Sequence, residues 1–116
     1  MKKHFWASLV LLFLLHGLRA QTTIINELEY PDKIRVACIG NSVTYGYGIT
    51  DRERDSYPAR LQVILGGKYE VRNFGFSGAT MLKKGHKPYW EKPPFAEALD
   101  FEPHIVVIHL GLNDTD

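Results

Sequence analysis

Three short polar turns hold the groups in this sequence that are able to do chemistry. Gly40-Asn41-Ser42 follows the apolar run at residues 34–39 (IRVACI), and residues 73–80 (NFGFSGAT) close a second run at 69–74 (YEVRNF). Gly111-Leu112-Asn113-Asp114 follows a third at 105–110 (IVVIHL). Acyl transfer needs a nucleophile, together with donors aimed at the oxyanion that develops. Ser42 offers a hydroxyl, Gly78 a backbone N–H with no Cβ beside it, and Asn113 a side-chain amide. Each turn taken alone is an ordinary loop, and Asn113 suits a turn for its left-handed tolerance as well. Their shared place after strands gives them a joint meaning, because ligands of parallel sheets bind beyond the carboxyl ends of the strands.

The elements that must position these turns are legible in outline. Residues 34–39 are short, β-branched and apolar, the pattern of a strand buried on both faces. Ser56-Tyr57-Pro58 opens a helix, with Ser56 as N-cap and Pro58 in the first turn, and Gly66-Gly67 ends it. Residues 75–94 read as a long irregular loop with a short helical piece, and residues 95–99 as a brief helix before the third strand. The alternation of strands and helices predicts an α/β fold with a parallel sheet and right-handed crossovers.

Composition removes several function classes. Residues 1–20 have the plan of a secretory leader: a basic start, an eleven-residue stretch broken only by Ser8, and Ala20 before Gln21. That stretch is short of the ~20 apolar residues a membrane span requires, and with no cysteine after it a lipid anchor has no support. The leader makes the expected location secreted or periplasmic, with no stable membrane anchor after cleavage. Without it, eleven basic residues face thirteen acidic ones, a net charge of −2. No basic tract interleaved with aromatics remains, so nucleic acid is not an expected partner. The single cysteine, Cys38, forms no internal disulfide and reads as a small buried hydrophobe. Phosphate cradles of the Gly-x-x-x-x-Gly-Lys and Gly-x-Gly-x-x-Gly kinds are absent, and Thr44 breaks the Gly-x-Ser-x-Gly elbow.

The three turns, as GNSVTYGYG, NFGFSGAT and GLND, resemble blocks I, II and III of the SGNH (GDSL-type) hydrolase superfamily. The YGYG and DSYPARLQ segments are most similar to its bacterial carbohydrate O-acetylesterases. The resemblance covers residues 34–114 and implies a three-layer, flavodoxin-like parallel sheet. Residues 33–116 would be the N-terminal part of the hydrolase domain, after a leader at 1–20 and a lead at 21–32. It implies Ser42 as nucleophile, with the N–H groups of Ser42 and Gly78 and the amide of Asn113 as oxyanion donors. It implies an acyl-serine intermediate, no cofactor or metal, and a small-molecule or polysaccharide ester as substrate. Block I departs from the usual Gly-Asp-Ser at Asn41, where an amide can make similar turn hydrogen bonds.

The family's histidine base belongs to a late Asp-x-x-His block, and the sequence stops at Asp116 before any such block. His109 is expected to be packed inside the third strand, His104 to lie at the far end of the sheet, and His86 to sit in the long loop. None is a good base, so these 116 residues alone are expected to be nearly inactive. The competing reading is a non-catalytic secreted carbohydrate-binding α/β domain, with Tyr45, Tyr47, Tyr89 and Trp90 available to stack on sugars. The Asn113-Asp114-Thr115 glycosylation sequon is expected to be unused.

Overall fold

A computed structural model describes residues 25–114, so the expected leader and the first part of the 21–32 lead lie outside the described residues. Along the chain run β1 (Ile34–Gly40), α1 (Ser42–Tyr45), α2 (Arg52–Asp55), α3 (Tyr57–Leu65), β2 (Tyr69–Gly75), α4 (Pro93–Asp100) and β3 (Ile105–His109). The strands form a parallel sheet in the order β2-β1-β3. That arrangement opens a doubly wound fold, in which the strand order reverses between β1 and β3.

The most apolar strand takes the centre. All of β1 is buried except Arg35, which is half-buried. Successive side chains face opposite sides of a sheet, and β1 uses both. Ala37 and Ile39 join Phe74, Tyr89, Ala98 and Phe101 in one core, placing α4 on that face. Between them, Cys38 meets Tyr57 of α3 on the other face, where burial pushes its thiol pKa up. This is the inert cysteine that its apolar strand predicted.

Other expectations need correction in detail. Ser56 occupies the N-cap of α3 but makes no capping hydrogen bond through its side chain. The polar turn after residue 40 runs into the short helix α1, and a second short helix, α2, precedes α3. The helix expected at 95–99 starts at Pro93, since prolines fit a first turn that needs no N–H donors. β3 is apolar yet largely exposed, with Ile108 57% accessible. His109, at the end of β3, is likewise exposed among the described residues.

Two glycines close the sheet against α1 by having no side chain. A Cβ at Gly75 would meet the backbone of Tyr45, 2.6 Å from its Cα. One at Gly40 would meet Thr44 and come 2.7 Å from the His109 carbonyl oxygen. Backbone cannot swing aside as a side-chain tip can. Gly75→Ala is therefore expected to destabilise the protein by at least ~2 kcal/mol, the scale of overpacking in a close-packed region. Gly67, whose Cβ direction meets nothing within 4 Å, is the control. Denaturant midpoints should fall for Gly75→Ala and stay in place for Gly67→Ala.

Candidate active site

All three strands end on one rung. Gly40 pairs with Gly75 on one side and with His109 on the other. The rung is extended by Phe76 N–H donating to the Gly40 carbonyl (2.9 Å) and Asn41 N–H donating to that of His109 (3.2 Å). Ser42, Gly78 and Asn113 stand two, three and four residues past these pairings. The polar turns thus leave the sheet together, at the crevice where the strand order reverses.

Ser42 begins α1. Asn41 caps that helix through Oδ1, which accepts from Val43 N–H at 3.0 Å, as an aspartate there would. The turn is braced from β2, since Asn73 Nδ2 donates to the Thr44 carbonyl (2.8 Å) while its Oδ1 accepts from Gly75 N–H (2.9 Å). From below, Thr44 Oγ1 shares a 3.2 Å hydrogen bond with the Tyr57 hydroxyl, whose pKa is raised chiefly by burial. Ser42 is half-buried. Two buried polar atoms in this region, Asn41 Nδ2 and Ser77 Oγ, have no partner among the described residues.

The second turn is tied directly to the third. Asn113 Nδ2 donates to the Ala79 carbonyl at 3.1 Å, which uses one of its two amide hydrogens. Asp114 accepts from Met81 N–H (2.7 Å) and Leu82 N–H (3.2 Å), clamping the chain just beyond. Sequence reasoning missed the clamps at Asp114 and Asn73, because nothing local announces a bond spanning some thirty residues. Tyr89 anchors the far side of the loop, fully buried with its hydroxyl donating to the Phe74 carbonyl at 2.6 Å.

Gly78 has φ +80°, a left-handed conformation that favours glycine. Its missing Cβ does not leave open space, as the sequence suggested. The Lys87 side chain lies across that direction, with Cδ and Nζ each 3.3 Å from the Cβ position, and Nζ donates to the Ser77 carbonyl at 3.1 Å.

The described histidines fall at both ends of the sheet. His104 sits at the start of β3, where its Nδ1 accepts from Arg35 N–H at 2.9 Å and its ring meets Tyr30 edge-on. His86 lines a cleft of about 250 Å³ shared with Asn113, Asp114 and Thr80. A larger groove of about 580 Å³ runs beside α2 and α3 and includes none of Ser42, Gly78 and Asn113. Of the aromatics considered for sugar stacking, Tyr89 is core. Trp90 donates its indole N–H to the Met81 carbonyl at 2.7 Å. Tyr45 lies under Arg52, and Tyr47 is 78% exposed. Among the described residues no three His, Cys, Asp or Glu side chains gather to hold a metal ion.

Comparison with known proteins agrees with this architecture. The GDSL-like Lipase/Acylhydrolase family profile matches residues 38–116, from within β1 through all three turns. The chain is 56% identical over 84 residues to an acetylxylan esterase of Xylanibacter ruminicola, a match covering 72% of this chain and 18% of that protein. No solved structure matches at a significant level. On the family match, the chain belongs to the GDSL-like lipase/acylhydrolase family.

Proposed function

We propose that the intact protein is a secreted serine esterase that removes O-acetyl groups from carbohydrates. The observation that carries this reading is the shared rung, beyond which Ser42, Gly78 and Asn113 all follow at one end of the sheet. The likeness to an acetylxylan esterase supports acetylated sugars as the substrate class.

In this reading Ser42 Oγ attacks the ester carbonyl carbon and gives its proton to a histidine outside the described residues. The N–H groups of Ser42 and Gly78, with the second amide hydrogen of Asn113, receive the oxyanion. Neither N–H is engaged by an acceptor among the described residues. As the tetrahedral intermediate collapses, the bond to the sugar oxygen breaks and the sugar leaves as its alcohol, carrying the proton. Water then attacks the acetyl-serine, releasing acetate and restoring Ser42. Without the histidine a serine hydroxyl is a poor nucleophile at neutral pH, so residues 1–116 alone are expected to be nearly inactive.

Covalent trapping tests the nucleophile. An alkyl phosphonofluoridate should add one phosphonyl group to the intact enzyme, and peptide mapping should place it on Ser42. A label on another serine, or an equivalent surviving in Ser42→Ala, would remove the assignment.

A further inference from the structure

The loop that carries Gly78 is followed by a cationic segment with little counter-charge. Residues 83–92 read KKGHKPYWEK, in which Lys83, Lys84, His86, Lys87 and Lys92 accompany a single acid, Glu91. Within that run, Lys87 and Lys92 converge on the ring of Phe76, their Nζ atoms 5.2 and 6.0 Å from its centroid. Both lysines are half-buried. Neither forms an ion pair among the described residues, where the ion pairs all belong to Arg54 and Arg72. Lys87 Nζ holds the Ser77 carbonyl, whereas Lys92 Nζ makes no hydrogen bond among the described residues. Phe76 stands two residues before Gly78. Two ammonium groups without an ion pair among the described residues thus gather at the Phe76 ring, and Lys87 sets this positive potential beside Gly78.

We propose that Lys87 and Lys92 form a subsite for the carboxylate of a uronic acid on the sugar chain that bears the scissile ester. The inference rests on the carbohydrate-esterase reading and deepens it by naming the substrate class. A sugar carboxylate supplies the counter-charge that the lysines lack, and the Phe76 ring beneath them holds the two ammonium groups together. The neutral part of the sugar chain needs no cation, so the lysines act as specificity residues.

Binding is read in the intact Ser42→Ala protein by titration calorimetry, without turnover. Acetylated xylo-oligosaccharides with and without a glucuronate branch form one pair of ligands, and acetylated oligogalacturonate tests a backbone carboxylate as the source. The carboxylate-bearing ligand should bind about fivefold or more tighter than its neutral partner, the yield of one charge-assisted contact. The ratio should approach one in Lys92→Met, survive in Lys92→Arg, and shrink as salt is raised. A merely structural Lys92 would weaken both ligands together and leave the ratio unchanged. Equal binding of charged and neutral ligands, or a ratio that survives Lys92→Met, overturns the proposal. Because Ser42 is already absent, a failed nucleophile assignment does not alter this readout, and a failed subsite leaves phosphonate labelling of Ser42 intact.

Discussion

Replacing Ser42 by alanine is expected to lower kcat/KM of the intact enzyme for p-nitrophenyl acetate by between about 10⁴- and 10⁶-fold, the loss seen when a serine nucleophile is removed. In barrier terms this is about 5–8 kcal/mol. The effect should fall on kcat, because the alanine variant leaves the surrounding turn in place. That turn is held by Asn41 Oδ1 on Val43 N–H, by Asn73 on the Thr44 carbonyl, and by the pairing of Gly40 with Gly75. None of these uses the Ser42 hydroxyl, so the variant should unfold at the wild-type denaturant concentration. Ser42→Cys separates the chemistry further, since it keeps a nucleophile but lengthens its bond to the Cβ and changes its proton affinity. Turnover that persists in Ser42→Ala at more than a tenth of the wild-type rate would assign the chemistry elsewhere. Sugar binding with neither labelling nor turnover would favour the carbohydrate-binding domain instead.

How far the residues announce this site depends on the range of the interactions involved. Each strand and the turn after it are local signals: residues 34–39 carry their burial in their composition, and the glycine, serine and asparagine that follow carry the turn. The parallel order follows because helical segments separate the strands. What escapes notice is either too short or too distant. The four residues of α1 and of α2 complete about one turn each, so neither shows a hydrophobic period. Asn73, Lys87 and Asp114 act on backbone groups of other turns, and no pattern near them in sequence reveals the partner. Gly40 and Gly75 look like punctuation, yet each is required by the backbone packed against it.

Asn113 is expected to give the second largest loss of activity. Asn113→Ala should lower kcat by about 10²- to 10³-fold with KM changed little, the cost of one oxyanion donor. One amide hydrogen is held by the Ala79 carbonyl at 3.1 Å, and this bond orients the other. Asn113→Asp decides between the electrostatic and the structural account. Aspartate keeps the size of asparagine, but ionised it donates nothing to Ala79 and places a negative charge where the oxyanion develops. A donor role therefore ranks Asp below Ala in kcat. If the residue served only to fill space, Asp would be the milder change and the order would reverse. Loss of the bond to Ala79 in Asn113→Ala should cost only about 1 kcal/mol of stability, so that variant should remain folded at room temperature. Asn113→Asp turns a carboxylate toward the Ala79 carbonyl, and its denaturant midpoint is measured beside its kcat. A kcat within fivefold of wild type in Asn113→Ala, with phosphonate labelling of Ser42 intact, would remove Asn113 from the oxyanion site and leave it as the tie between the second and third turns.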